Sequence, residues 1–208
     1  MTDHQFSHLE RTLVGDHVAI RHLSHDDAEG LFAAVGTDRA SYGFTPVPRT
    51  LAESRSYIDA ALNDAAAGHV VAFSVRRRSD DVIVGTTRFL NLRWYFGRSF
   101  PDVVEIGGTW YSPAAQRTAI NTETKLLLLR LAFSEYGVGK VDLKTDARNL
   151  KSRRAIARIG ASFEGILRQA HPSFVEGEEG LFRDSAMFGI VAEDWPMVER
   201  HLQLLLAR

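Results

Sequence analysis

Positions 126–129 are all leucine, and Leu131, Ala132 and Phe133 follow after a single arginine. A helix through 121–136 would therefore have no polar face across its middle. Such a helix must be covered on every side and lies deep in a domain. On its two flanks, 103–111 reads as a strand, and 141–145 alternates Val141 and Leu143 with Asp142 and Lys144, as a half-buried strand does. A buried helix between two strands restricts the chain to folds in which helices cover a sheet.

The remaining segments extend that pattern. Strands are predicted at 18–21, 70–77, 82–92, 162–168 and 182–191. Ser24 followed by His25, Asp26 and Asp27 supplies a cap and an acidic first turn for a helix to about residue 35. A second helix, 51–67, ends at Gly68. The turn 78–81 makes 70–77 and 82–92 a hairpin. A short helix opening at Asn149 stops at Gly160 and runs into a strand, and a last helix begins near Glu193. The order β-α-α-β-β-β-α-β-α-β-β-α predicts a mixed α/β (α+β) fold, a central, mainly antiparallel sheet flanked by helices. Nothing resembles a linker, so 1–208 is read as a single domain.

Lys plus Arg number 25 against 26 for Asp plus Glu. A nucleic-acid-binding module, suggested by Arg76, Arg77, Arg78 and the basic stretch 151–158, lacks the net positive charge it needs. Cysteine is absent, which removes thiolate nucleophiles and Cys-type zinc sites, and the 8 histidines have no metal-ligand spacing, so no metal is expected. Residues 1–10 lack a signal-type apolar core, and no run approaches membrane-spanning length. A soluble, cytoplasmic protein with no membrane and no nucleic-acid partner is the expectation.

Several groups of residues then occur in a telling order: Val104 to Gly107; Asn121, Thr122, Glu123, Thr124 and Lys125; Asn149 with Ser152 and Gly160; Glu164, Gly165 and Arg168; Gly180 to Asp184; and Glu193 to Pro196. Together they resemble the GNAT acetyltransferases, in the branch that includes the ribosomal-protein N-terminal acetyltransferases. The resemblance implies acetyl-CoA as donor and an amine as acceptor, either a protein N-terminus or a small molecule. It implies that Gln116, Arg117, Thr118, Ala119, Ile120 and Asn121 form the turn that holds the cofactor pyrophosphate on backbone N–H groups. Arg117 departs from the family pattern, which has glycine there. Either the backbone avoids positive φ or binding weakens, unless the guanidinium itself pairs with a phosphate. Asn149 and Ser152 read on their own as helix caps; the resemblance places Asn149 on the pantetheine arm and Ser152 at the thiol end. Many relatives carry a proton-donating tyrosine where this chain has Ile156, which leaves Ser152 or water. A relative that binds CoA without catalysis is the alternative this gap suggests.

Acetyl transfer requires a neutral amine, and a lysine-type amine with a pKa of about 10.4 is neutral in roughly one part in a thousand at pH 7. A general base therefore helps. Alternation predicts Glu105, Gly107, Thr109 and Tyr111 on one face of strand 103–111, and Val104, Ile106, Gly108 and Trp110 on the other. Glu105, set among valines, is the first candidate base; an ion pair with Arg88 is the structural alternative. The resemblance places backbone N–H groups near Ile106 and Gly107 at the thioester carbonyl. Asp184 is a second acidic candidate, or else a turn carboxylate. The loops 42–48 and 94–100, with Tyr42, Phe44 and Trp94, are expected to shape the acceptor pocket or a contact in a homodimer. Glu176, Glu178 and Glu179 would attract a cationic amine or form a solvated loop. His69 and His171 line the cleft or are merely exposed.

Overall fold

The computed structural model describes residues 11–208. The N-terminal segment read above for a signal sequence, 1–10, lies outside the described residues. The strands are β1 (Leu13–Val14), β2 (Val18–His22), β3 (Val71–Arg77), β4 (Ile83–Arg93), β5 (Val103–Tyr111), β6 (Lys140–Asp146), β7 (Ser162–Pro172) and β8 (Phe182–Val191). The helices are α1 (Ala28–Val35), α2 (Leu51–Ala66), α3 (Ala119–Arg130), α4 (Leu150–Arg158) and α5 (Trp195–Leu206). All strands join one 8-stranded sheet in the order β1-β2-β3-β4-β5-β6-β8-β7. Every neighbouring pair is antiparallel except β5 and β6. The predicted mixed fold with a mainly antiparallel sheet is the one observed.

Two apolar layers hold the helices to the sheet. On one face Leu31, Ile58 and Tyr42 pack with Ala72, Ile83 and Trp110, which seats α1 and α2 over β3 to β5. On the other face Leu128, Leu129, Ile156, Val198 and Leu202 pack with Phe73, Phe89, Ile106, Val141 and Ile190, which seats α3, α4 and α5. The helix boundaries follow local chemistry. Ser24 and Asp27 form a reciprocal capping box ahead of α1, and the Thr50 side chain accepts the Glu53 N–H to open α2. α3 begins two residues earlier than the sequence suggested, because Thr118 rather than a later residue caps it, and it continues into a π-helical turn over Leu131–Glu135. Among the described residues no helix is long and apolar enough to cross a membrane.

The alternation predicted along β5 breaks at one position. Between the pairs Thr86↔Trp110 and Arg88↔Gly107, β5 has an extra residue opposite β4, and Gly108 there takes φ +56°. Such a bulge reverses the facing of everything beyond it. Glu105 and Gly107 face the α1–α2 side, and Trp110 joins that side's core. Tyr111 joins Val104 and Ile106 in the opposite layer. Thr109 likewise turns toward α3, where it shares a hydrogen bond of 2.8 Å with Thr87 and accepts one of 2.9 Å from Lys125 Nζ. The expectation that Glu105, Gly107, Thr109 and Tyr111 share a face is therefore corrected.

The apolar character of α3 conceals two buried charges in its first half. Glu123 accepts backbone N–H bonds from Asp16, His17 and Val18 at 2.8, 2.6 and 2.7 Å, fastening the turn before β2 to the helix. Among the described residues no acid pairs with Lys125, and burial pushes its ammonium from the ordinary 10.5 down to about 7. Between those two pH values the unfolded chain holds a proton that the folded one has released, so stability rises with pH across that window. The penalty is greatest below pH 7. Replacing Lys125 by Met should therefore raise the melting temperature at about pH 6 to 7, and the gain should shrink toward about pH 10. Thermal melts of both proteins at several pH values check this; a gain that does not depend on pH contradicts it.

Candidate active site

β5 and β6 are neighbours for only a short distance. They pair at Val103↔Lys140, Val104↔Val141 and Glu105↔Asp142, and nowhere beyond. β5 remains tied to β4 as far as Tyr111↔Gly85, and β6 to β8 as far as Asp146↔Ser185. Above Glu105 the two strands therefore part, and the facing edges of each keep backbone N–H and C=O groups that the sheet does not use. Backbone groups in that position call for a partner. α3 follows β5 and α4 follows β6, so both helix N-termini, with their partial positive charge, stand at the open end of the slot.

Side chains frame this opening. Gln116 donates through Nε2 to Ser41 Oγ at 2.9 Å and to the Tyr111 carbonyl at 3.0 Å, while its Oε1 accepts from Lys151 Nζ at 2.5 Å. The last bond joins the start of α3 to the first turn of α4. Arg158 Nη2 makes a second link, donating to Thr122 Oγ1 at 2.6 Å. Thr118 caps α3, donating to the Ala115 carbonyl at 2.7 Å and accepting the Ile120 N–H at 3.3 Å. Ala119 and Asn121 lie in the first turn, while the Ile120 and Ile106 side chains are core, so only their backbone can meet a ligand. Arg117 adopts φ +62°, the conformation glycine would favour. The expectation that the backbone avoids positive φ here is therefore corrected: the turn is kept, with an exposed arginine in it.

On the facing helix, Asn149 Oδ1 accepts the Ser152 N–H at 3.0 Å, the cap expected from its position. Its amide NH2 is still available to a ligand, as is the half-buried Ser152 hydroxyl. Ile156 sits in the core and offers no proton. The opening is bordered by Gly107 and Gly108, with two helix N-termini and the cations Arg117 and Lys151 at its mouth, an arrangement suited to an anionic group.

The α1–α2 side of the sheet beyond β5 has no helix over it and carries polar side chains. Glu105 is buried, and its partner is not Arg88. Asn91 Nδ2 and Lys144 Nζ both reach the same oxygen, Oε2, at 2.7 and 3.1 Å. Oε1 lies toward Gly107, where a Cβ would stand 2.9 Å from it. Only a glycine leaves that oxygen open to the slot. Arg88 instead runs past Gly108 and stacks its guanidinium on Tyr57, 4.6 Å from the ring centroid.

Other expected residues divide. Phe44 is at the cleft, with the Arg148 guanidinium 5.6 Å from its ring centroid. Tyr42 is not an exposed lining residue. It is core, bonded to the Tyr111 carbonyl at 3.0 Å, and burial raises its hydroxyl to about 12. Trp94 starts a loop at the far end of β5 from the mouth, pinned there by Asp102 accepting from Tyr95 and Phe96 N–H and by Arg98 donating to the Tyr136 and Gly137 carbonyls. It is not brought together with Phe44. Asp184 shares the parity of Ala186, Phe188 and Ile190, opposite to Glu105, and accepts the Gln169 N–H at 2.8 Å. Asp184 is thus neither a cleft acid nor a turn carboxylate but a strand residue that holds the irregular backbone of β7 at Gln169. Its neighbour Arg183 is the residue facing the cleft.

The acidic loop is also occupied. Glu176 pairs with Arg49 at 2.9 Å and Glu178 with Arg148 at 2.7 Å, which leaves neither free to attract a cationic amine. The Arg148 and Ser173 bonds lower the Glu178 carboxyl to about 2. His171 belongs to β7 and shares a 2.8 Å bond with Ser185 on the cleft face. Burial first, then the charges of Lys144 and Arg183, lower its pKa and favour the neutral ring. His69 is exposed beyond α2.

A family model described as an acetyltransferase (GNAT) domain matches residues 17–162. Among solved structures, a GCN5-related N-acetyltransferase from Brucella melitensis superposes with a TM-score of 0.81 at 24% identity, over 95% of this chain and 86% of its own. Mycobacterium smegmatis RimJ in complex with CoA-disulfide gives 0.73 at 20% identity, over 95% and 92%. The GNAT-family acetyltransferase from Bacillus anthracis gives 0.68 at 20% identity, over 88% and 99%. At these identities the likeness is one of fold. No curated protein matches the sequence.

The left-handed conformation at Arg117 costs a non-glycine residue about 1–2 kcal/mol, while glycine loses more chain entropy on folding. Arg117→Gly should stabilise the protein by about 0.5–1 kcal/mol net. Urea unfolding measures this; a destabilised variant would mean the arginine makes a contact that outweighs the strain.

Proposed function

Because the chain belongs to the GNAT acetyltransferase family, we propose that it moves an acetyl group from acetyl-CoA to a primary amine, by direct attack with both substrates bound. The observation carrying this reading is the parting of β5 and β6 above Glu105, with two helix N-termini at the open end. Acetyl-CoA supplies the acetyl group already activated as a thioester. Backbone N–H groups of the turn 116–121 would hold its pyrophosphate, with Arg117 and Lys151 adding charge. The Asn149 amide and the open edge of β5 at Ile106 and Gly107 would hold the pantetheine arm.

In this reading Glu105 Oε1 takes the proton of the attacking amine, directly or through a water. The nitrogen bonds to the acetyl carbon, the carbon–sulfur bond breaks, and Ser152 or solvent returns a proton to sulfur. Asn91 and Lys144 fix Glu105 in place through Oε2. The acceptor is a protein N-terminus or a small-molecule amine; Phe44 is its proposed contact on the α1–α2 loop. A core that joins Leu13 to Leu202 supports a single catalytic domain over the described residues. A cytoplasmic location is part of the same proposal. Ile156 in the core favours a second reading, a domain that binds CoA without catalysis.

Scanning calorimetry with CoA and thiol release from acetyl-CoA and succinyl-CoA over an amine panel separate these readings. Transfer predicts a CoA-induced rise in melting temperature and thiol release with some amine. Glu105→Gln should then lower kcat by about 10²–10⁴-fold while keeping the CoA shift. A CoA shift without turnover on any amine supports the second reading, and no shift with CoA contradicts both.

The exposed apolar side chains Phe163, Leu167 and Phe182 along the β7–β8 edge support a homodimer formed through that edge. Sedimentation should give a dimer for the native chain and a monomer for Phe182→Lys; a monomeric native chain contradicts this.

A further inference from the structure

The charges of the cleft do not balance locally. On the face that carries Glu105, the acids are already matched. Glu105 holds Lys144 at 3.1 Å, Asp142 holds Lys140 at 3.0 Å and also Arg93, and Asp146 holds Arg148 at 2.8 Å. In the loop above, Glu178 and Glu176 are paired with Arg148 and Arg49, and Glu179 turns back to its own loop, accepting the Gly177 N–H at 3.0 Å.

Arg88 and Arg183 differ from every cation in that set. Among the described residues neither makes an ion pair or donates a side-chain hydrogen bond, and the Nε atom of each is buried without an acceptor. A guanidinium presents five N–H donors, and leaving a buried donor unmatched is costly. Both are nevertheless held in place. Arg88 lies on Tyr57 at 4.6 Å and Arg183 on Phe174 at 5.3 Å from the ring centroids. Stacking fixes the plane of the fork and leaves its edge free to bond. The stem of Arg88 passes 3.2 Å from where a Gly108 Cβ would be, beside the β5 bulge. Arg183 is close enough to Glu105 and Asp146 to feel both charges, although burial still lowers its pKa. Arg183 thus lies near the proposed base and Arg88 beside the β5 bulge, and no acid among the described residues pairs with either.

We propose that Arg88 and Arg183 bind an anionic group on the acceptor, a carboxylate or a phosphate, so that the substrate is an acidic amine such as an α-amino acid. This inference rests on the acetyl-transfer reading and adds the acceptor's chemical class. A bidentate guanidinium contact matches the planar geometry of a carboxylate and suits a phosphate as well.

The test compares amines that differ only in the acid: phenylalanine with phenethylamine, and phosphoethanolamine with ethanolamine. Thiol release from acetyl-CoA should favour the acidic member of at least one pair by about ten- to a hundredfold in kcat/KM, and the favoured pair identifies the anion. Arg88→Gln or Arg183→Gln should reduce that ratio toward one, chiefly through KM, and the corresponding Lys variants should recover part of it. Wild-type enzyme that uses the neutralised amines equally well or better overturns the inference, as does a ratio that survives in both Gln variants. These outcomes leave acetyl transfer itself intact, whereas an absent CoA shift would strike at that reading instead. If no amine turns over, melting temperatures with N-acetylphenylalanine and N-acetylphenethylamine, measured with and without CoA, decide the question. A larger shift with the acid supports the inference, and equal shifts overturn it.

Discussion

The parallel contact between β5 and β6 is the constraint on which the site depends. Adjacent parallel strands cannot be joined by a tight turn and need a crossover, here the apolar helix α3. That crossover must start at the top of β5 and return to the bottom of β6, so the N-terminus of α3 is delivered to the upper end of the sheet. The same rule brings α4 to the top of β6 before the chain returns through β7. Because the parallel pairing lasts for only three residue pairs, the two strands diverge just where the helix termini arrive. Slot and positive rim thus have one topological cause.

The charge distribution on the cleft side follows from strand adjacency. Glu105 and Asp142 are register partners on neighbouring strands, two carboxylates that would repel if left alone. Each is answered from a different element: Asn91 and Lys144 on Glu105, and Arg93 and Lys140 on Asp142. Both contacts on Glu105 fall on Oε2, which leaves the geometry asymmetric, with one oxygen committed and the other facing the slot. The pairing also uses up the local cations in ways the sequence alone does not reveal, since all of α3 separates Lys144 from Glu105 along the chain.

Much of the fold was legible because its signals are local. Caps at Ser24 and Asn149, glycine stops at Gly68 and Gly160, and the hairpin turn at 78–81 each depend on a few consecutive residues. The short β1 strand escaped because two residues carry no periodicity. The site was legible only in part. Gln116 to Asn121 and Asn149 do stand at one opening, since both are fixed by where helices begin. Strand parity gave the right face for Glu105 but not for Thr109 or Tyr111, because an inserted residue at Gly108 leaves no mark on an alternating pattern. Asp184 failed for a related reason: its facing is set by Ala186 and Phe188, whose core positions show only when the sheet is assembled. Aromatic residues in loops gave no means of telling Tyr42, pulled into the core by its hydroxyl bond, from Phe44 at the cleft. Arg88 and Arg183 could not be singled out either, because what distinguishes them is the absence of an acidic partner among the described residues.

Backbone strain indicates how firmly the opening is built. Asn91 and Arg117 both have positive φ, at +47° and +62°. Asparagine tolerates that region; arginine does so at a cost of about 1–2 kcal/mol, sustained only when its surroundings determine it. Around Arg117 they do. Gln116 is fixed from three sides, by Ser41, the Tyr111 carbonyl and Lys151, and Thr118 is fixed from two, by the Ala115 carbonyl and the Ile120 N–H. The residue between two such anchors has no freedom to relax into an ordinary conformation. The turn is therefore held by the protein's own bonds, and in the proposed reading an anion at the start of α3 would meet donors already oriented. Preorganisation of that kind removes an ordering cost from binding, which is why a position lacking the usual glycine need not mean a weak phosphate site.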